Sequence, residues 1–160
     1  MLWDKDEPIF DMRFTDDGTR LAGIGTRGVF MYNAAGTQLW HFDPGHEQSL
    51  LPDLLDMSTD GAMVSAVLFP PRDFAQSGDL VSGLTPTNHT LYILSGQTGT
   101  VLWQNPFGEI GLPDADLSSD GRTLAVGGSK MLRTYDLTLL LQLPQGGDSP
   151  NSPNGPGAPF

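Results

Sequence analysis

A short turn pattern that occurs three times constrains the fold of this chain more than any other feature. Each copy reads Ser/Thr-x-Asp-Gly, and the three glycines are Gly18, Gly61 and Gly121. Asp-Gly is a strong hairpin signal, because glycine adopts a positive φ without steric cost. The Ser/Thr and Asp oxygens before the glycine bond the backbone of such turns. The sequence therefore predicts a tight turn between two strands at each copy.

The residues around the turns repeat as well. An apolar residue lies four positions before each glycine and another lies three positions after it: Phe14, Met57 and Leu117 before, and Leu21, Val64 and Leu124 after. A fixed order at a period of about 40 residues is typical of radial or solenoid arrays. Short strands with regularly spaced turns favour the radial all-β case.

Copies one and three also match beyond the turn. Tyr32 and Tyr135 lie at the same offset from their glycines, as do Trp40 and Leu143. Copy two is interrupted by residues 70–88, which we expect to form a long loop between its second and third strands. Such loops are often functional, although a tolerated surface insertion is the alternative.

The resulting fold class is all-β, with three blades of four antiparallel strands. We expect a repeat domain over 1–143, with blades at about 8–43, 50–107 and 109–143. The predicted strands of the third blade run from Ile110 to Leu117, Arg122 to Gly127, Met131 to Leu137 and Leu139 to Leu143.

Two stretches carry a resemblance to known families. Residues 92–103, Tyr-Ile-Leu-Ser-Gly-Gln-Thr-Gly-Thr-Val-Leu-Trp, resemble the repeat of quinoprotein-type propellers, and residues 56–66 and 116–127 resemble the Ser-x-Asp-Gly hairpin of WD-repeat propellers. The resemblance implies a β-propeller in which Trp40 and Trp103 pack between blades. The chain lacks the Trp-Asp ending of WD repeats. It also has no cysteine, so the vicinal disulfide typical of quinone-dependent dehydrogenases is absent and we expect no cofactor.

Three blades do not make a closed propeller, which needs about four to eight. Leu2-Trp3 matches the Leu-Trp of the outer strands, so residues 1–4 are interpreted as an orphan outer strand. We therefore expect an incomplete array, or one completed by another chain, with apolar faces that favour association. Trp3 is one expected interaction residue.

The last 17 residues, 144–160, contain five prolines and four glycines. This composition predicts an extended tail with little to bury in a core of its own. We expect the tail to lie on a neighbouring subunit, with Phe160 as its anchor.

The net charge of −11, from 8 basic and 19 acidic residues, leaves no basic surface for nucleic acid. No apolar run reaches the length of about 18 residues that spans a bilayer, so we expect no direct membrane insertion. Asp4, Asp6 and Glu7 stand where a signal peptide has a basic start. We expect a soluble protein, cytoplasmic if Met1 is the native start, and extracytoplasmic or at the cell surface if the chain is truncated or processed.

The sequence shows no set of catalytic residues. Asp11, Asp53 and Asp114 lie near the starts of the three predicted inner strands, where they could form an acidic ring for a hard cation. The alternative, which we favour, is that they cap the strands by accepting backbone hydrogen bonds.

These observations favour a non-enzymatic protein–protein interaction module or a structural scaffold subunit of a larger, or self-associated, assembly. One alternative is a fragment of a quinoprotein-like propeller enzyme whose catalytic residues lie elsewhere. Another is a surface module that binds carbohydrate or cations.

Overall fold

The computed structural model describes residues 8–45, 54–68, 89–107, 114–128 and 131–142. The described part of the chain consists almost entirely of strands that succeed one another through short turns. The elements are β1 (Ile9–Phe14), β2 (Arg20–Gly25), β3 (Gly28–Asn33), β4 (Gln38–Phe42), β5 (Leu54–Met57), β6 (Met63–Leu68), β7 (His89–Ser95), β8 (Val101–Phe107), β9 (Asp114–Leu117), β10 (Thr123–Gly128), β11 (Met131–Asp136) and α1 (Leu137–Leu140).

The strands form three antiparallel meanders. Their orders are β1-β2-β3-β4, β5-β6-β7-β8 and β9-β10-β11, and we call them the first, second and third blade. The predicted all-β class with propeller-type blades is confirmed.

Each Asp-Gly pair lies in the turn between the first and second strands of its blade, as the sequence predicted. Gly18, Gly61 and Gly121 have φ angles of 65°, 67° and 67°. The N–H of each glycine donates to the carbonyl of the Ser or Thr three residues earlier, at 2.8 Å in all three turns. The same local chemistry therefore builds the same hairpin three times.

The blades stack face to face through apolar residues. β5 of the second blade contacts β1 and β2 of the first, and β9 of the third contacts β5 and β6 of the second. One core lies between the first and second blades and includes Ile24, Met31 and Leu55. The other lies between the second and third blades and includes Val67 and Leu124. Because side chains alternate across a strand, the second blade supplies residues to both cores.

The predicted outer strand of the third blade, Leu139 to Leu143, is wrong over its described residues. The chain forms α1 there instead. Asp136 caps this helix, because its carboxylate accepts hydrogen bonds from the N–H groups of Thr138 at 2.9 Å and Leu139 at 3.3 Å. Leu137 is buried in the second core and Leu140 packs against it. The chain after β11 therefore continues as a capped helix whose first leucine is buried in the second core.

The other predicted boundaries in the third blade shift by one residue, to Thr123–Gly128 and Met131–Asp136, and the inner strand is described only from Asp114 to Leu117. β6 ends at Leu68 and β7 begins at His89, so the second and third strands flank the predicted insertion. The insertion itself, the orphan strand at 1–4 and the tail at 144–160 lie outside the described residues. Within the described ranges, no helix is long and apolar enough to cross a membrane.

Candidate interaction surface at the ends of the blade array

The motif aspartates serve the turns that contain them. Asp17 accepts hydrogen bonds from the Thr15 hydroxyl at 2.7 Å and from the Thr19 N–H at 2.9 Å. The Thr15 hydroxyl bond, followed by the bonds from Thr19, lowers the pKa of Asp17 to about 2. Hydrogen bonds also lower the pKa of Asp60, mainly from the Ala62 N–H, and of Asp120, mainly from the Ser118 hydroxyl. The three carboxylates are therefore ionised parts of the turns, and their chemistry is structural.

The variable residue of each motif joins one blade to the next. The N–H of Asp16 in the first blade donates to the Thr59 carbonyl of the second at 2.9 Å. The N–H of Thr59 donates to the Ser119 carbonyl of the third at 3.0 Å. The bond runs in the same direction at both joints, always from an N–H to a carbonyl of the following blade. Among the described residues, none accepts a hydrogen bond from the N–H of Ser119, where the series ends.

A second repeated position, five residues before each motif glycine, carries charges across the same joints. It holds Arg13, Asp56 and Asp116 in the three blades. The Asp56 carboxylate lies 3.7 Å from Arg13 Nε of the preceding blade and accepts a 2.6 Å hydrogen bond from the Leu117 N–H of the following blade. Each joint thus uses a side chain at this position. Comparison of the three sequence copies could have shown that the position is charged in all of them.

Trp40, on the outer strand β4, connects the first blade to the second at a distance from the inner strands. Its ring is buried, and its Nε1 donates to the Gly96 carbonyl at 3.0 Å. A Cβ on Gly99 would stand 2.6 Å from this ring, so only glycine leaves the space that the ring occupies. Arg20 adds hydrogen bonds from its guanidinium to the carbonyls of Gly61 and Gly96, at 3.3 and 3.5 Å. The predicted interblade position of Trp40 is confirmed.

Trp103 occupies the equivalent place at the second joint. Its ring centroid lies 5.8 Å from that of Tyr135 in the third blade. It packs against the second core but remains partly exposed. The predicted position of Trp103 between blades is confirmed, but its side chain is only partly buried.

The end of the array at the third blade presents a face that has no blade on it in the described structure. Asp116 lies on this face, since it pairs with Ala125 and alternates with Ala115 and Leu117, which turn toward the second blade. Leu132 lies on the same face and is 77% exposed. Its register equivalents, Val29 and Leu91, are completely buried against the following blade.

The end at the first blade exposes apolar side chains on its inner strand. Phe14 is 62% exposed, whereas the equivalent Met57 is 8% exposed because the preceding blade covers it. Met12 is about half-exposed, whereas its equivalent Leu55 is buried. We call these two surfaces the third-blade face (Asp116, Ser119, Leu132) and the first-blade face (Met12, Phe14, Asp16).

The residues predicted from sequence as metal ligands fall in different places. Asp11 lies in β1, where it accepts hydrogen bonds from the Met12 N–H at 2.7 Å and the Arg13 guanidinium at 2.8 Å. Asp114 begins β9 and is exposed. Asp53 lies outside the described residues, as do the predicted interaction residues Trp3 and Phe160. In the described ranges, no three acidic or histidine residues are grouped as metal ligands.

Comparison with known proteins identifies the architecture. No protein-family model and no curated protein matches the chain. Solved structures do match: the WD40 repeats of RRP9 at a TM-score of 0.57 and 12% identity, over 86% of this chain and 38% of that one. BamB from Moraxella catarrhalis matches at a TM-score of 0.50 and 20% identity, over 84% of this chain and 35% of that one. A eukaryotic initiation factor matches at a TM-score of 0.51 and 13% identity, over 85% of this chain and 31% of that one.

The chain has a β-propeller fold. The sequence resemblance to WD-repeat and quinoprotein-like propellers is confirmed at the level of architecture by the likeness to the RRP9 repeats and BamB. The chain spans between about a third and two fifths of the lengths of these structures. At these identities the likeness shows the fold alone, and a propeller fold hosts many unrelated functions.

Proposed function

We propose that this chain is a non-enzymatic protein–protein interaction module, a scaffold subunit that works through the two end faces of its blade array. The observation that carries the proposal is the contrast between equivalent residues. Phe14 is 62% exposed at the end of the array, whereas Met57 at the same repeat position is 8% exposed within it. A side chain that a neighbouring blade covers at one joint is open at the end.

The polar groups of the end faces support the same function. At each interior joint, the N–H of the variable motif residue donates a hydrogen bond to a carbonyl of the following blade. At the third-blade face the corresponding donor, the Ser119 N–H, has no acceptor among the described residues. Free edge groups beside apolar side chains form the type of surface that another polypeptide covers.

The acidic composition sets the chemistry of such a partner. With a net charge of −11, the chain has no surface excess of Lys and Arg that would attract nucleic acid. The partner therefore contacts the faces through apolar packing and specific polar pairs, which are the determinants of protein interfaces.

Photo-crosslinking from defined positions tests this function. A photoreactive phenylalanine analogue replaces Phe14 or Leu132 in the full chain, expressed in the cells that produce it. We expect protein adducts from both positions. Leu39 on β4 provides the control, because it is an apolar residue that is 48% exposed but lies on an outer strand. Adducts of equal yield from Leu39, or none from Phe14 and Leu132, would contradict the proposed function.

A further inference from the structure

We propose that the partner of each end face is the opposite end face of a second copy of this chain. The third-blade face of one copy docks on the first-blade face of the other, head to tail. This inference rests on the proposed function, since it names the partner of the same surfaces. It is carried by a backbone hydrogen bond that both interior joints show, and by polar and apolar contacts of the interior joints that the same register extends to the two end faces.

The first contact is the backbone series. At both interior joints the N–H of the variable motif residue donates to the carbonyl of its equivalent in the following blade, Asp16 to Thr59 and Thr59 to Ser119. The next bond in this series needs a carbonyl beyond Ser119. Asp16 of the second copy is the equivalent residue at the start of an array, and its carbonyl occupies the required position of the motif. The Ser119 N–H of one copy therefore donates to the Asp16 carbonyl of the other.

The second contact is electrostatic. Asp56 receives the Leu117 N–H of the following blade, and Asp116 is its equivalent on the third-blade face. The Thr15 N–H bonds to the Arg20 carbonyl across the hairpin, and adjacent residues of an antiparallel strand direct their N–H groups to opposite sides. The Phe14 N–H therefore points off the free edge of β1, as the Leu117 N–H points off β9. Asp116 can accept from it in a second copy.

Between two copies, the head-to-tail order is the arrangement of the end faces that places unlike charges at this position. Within the chain, Arg13 of the first blade lies 3.7 Å from Asp56 of the second. When a second copy follows the third blade, Asp116 lies beside Arg13 of that copy. An acid thus meets a base in a chain whose net charge of −11 otherwise opposes contact between copies.

The third contact is apolar. Val29, the register equivalent of Leu132, belongs to the core that covers Leu55 and Met57. Leu132 of one copy occupies the same place relative to Met12 and Phe14 of the other, and all three are exposed in the single chain. Docking therefore removes from water the apolar side chains that mark both ends.

The blade number agrees with a closed particle. Two copies, each with the three blades that the structure describes, supply six blades, within the range of about four to eight that propellers use. A head-to-tail interface gives a finite ring when its rotation closes. In a ring of two copies, the two joints between the copies are identical.

The first measurement is the particle mass of the full chain by sedimentation equilibrium. We expect a concentration-dependent species of twice 17.2 kDa. Asp116→Arg places a guanidinium beside Arg13 of the second copy, and Arg13→Glu places a carboxylate beside Asp116. Each change therefore sets two like charges against each other at the joint. We expect each variant alone to dissociate roughly 100-fold more readily than the wild-type chain.

Mixing the two variants is the decisive experiment. In the mixed pair, the new guanidinium of one chain meets the new carboxylate of the other, while the second joint keeps the native Asp116 and Arg13. We expect the mixture to associate nearly as tightly as the wild-type chain, which also shows that both variants are folded. Asp43→Arg, an equal change of charge on an exposed residue that follows β4, is the control and should leave association unchanged.

Two results would overturn the inference. The wild-type chain could remain monomeric at all concentrations, or the mixture could be as weak as the separate variants. If the crosslinks from Phe14 and Leu132 then lead to a different protein, the proposed function stands and only the identity of the partner is wrong. If those positions yield no crosslinks, both fail.

Discussion

At the residue scale, the three motif glycines share one backbone conformation but have different surroundings. A Cβ added to Gly18 would meet nothing within 4 Å, because this turn lies at the end of the array. A Cβ on Gly61 would stand 2.6 Å from Cγ2 of Thr15 in the preceding blade. The same glycine thus has a local role in one blade and a packing role in the next.

Substitution of these glycines by alanine separates the two roles. Gly18→Ala should cost about 1–2 kcal/mol of unfolding free energy, from the left-handed conformation alone. Gly61→Ala should cost a further 1–3 kcal/mol or so, because the methyl group overpacks the joint. Denaturant unfolding of both variants measures the difference. Equal losses would mean that the two turns have the same surroundings.

The hydrogen-bonded aspartates make stability depend on pH. The folded chain lowers the pKa of Asp17 from 3.8 to about 2. The lowered pKa favours the ionised form in the folded state. The contribution of the Asp17 carboxylate to the unfolding free energy is therefore complete above pH 3.8 and is lost as the pH falls toward 2. We expect the stability difference between wild type and Asp17→Asn to be largest at neutral pH and to shrink over this range. Thermal unfolding across the range checks it, and a constant difference would contradict it.

At the element scale, the third blade shows how one cap changes an edge. The leucine-rich run after Asp136 has the composition of an outer strand, but the Asp136 carboxylate caps α1 instead. In a strand, Leu137 and Leu139 would lie on the same face. In α1 they do not: Leu137 is 1% exposed and Leu139 is 64% exposed.

This contrast gives a direct test of the helix. Leu137→Ala should cost about 2–5 kcal/mol, as for a leucine in a core. Leu139→Ala should change stability by less than about 0.5 kcal/mol, as for a surface site. Chemical denaturation of the two variants decides the matter. Similar losses would indicate a strand at this edge.

The outer strand of the first blade depends on Trp40. Removal of its ring by Trp40→Ala should cost about 3–5 kcal/mol, because the ring fills the space above Gly99 and bonds Gly96. Trp40→Phe keeps most of the packing but loses the Nε1 hydrogen bond, which is worth about 1 kcal/mol. Unfolding midpoints of the two variants measure both terms. A loss below about 1 kcal/mol for Trp40→Ala would place the ring on the surface.

At the scale of the whole molecule, the described blades form a series of like joints, and no described blade covers the face at either end. The joints use inner-strand packing, a backbone hydrogen bond between turns and a charged side chain at one repeat position. Since the joints use the same repeat positions, the interior joints show which contacts are missing at each end of the array. The association that we propose repeats the contacts of an interior joint between the end faces of two copies.

The tail at 144–160 enters at this scale as a prediction from sequence. Deletion of these residues should leave the unfolding midpoint of the blades unchanged but weaken association, if the tail lies on a neighbouring subunit. Sedimentation of the deleted chain beside the full chain measures the effect. Unchanged association would show that the blades alone make the contact.

The turns and the blade stacking could be predicted from sequence because they depend on local chemistry and on periodicity. Glycine at a positive φ and Ser/Thr-Asp oxygens that bond the turn act within a few residues, so Gly18, Gly61 and Gly121 mark their hairpins directly. Trp40 was predicted between blades because it recurs at a fixed repeat position.

Other features depend on which residues the tertiary structure brings together. The sequence alone does not distinguish an outer strand from α1 after Asp136, whereas the structure shows Asp136 capping α1 and Leu137 buried in the second core. Arg13, Asp56 and Asp116 are separated by tens of residues in the chain, and only the stacking of inner strands makes them a charged series. Exposure itself is a tertiary property: Phe14 and Met57 occupy the same repeat position, and the presence or absence of a preceding blade separates them.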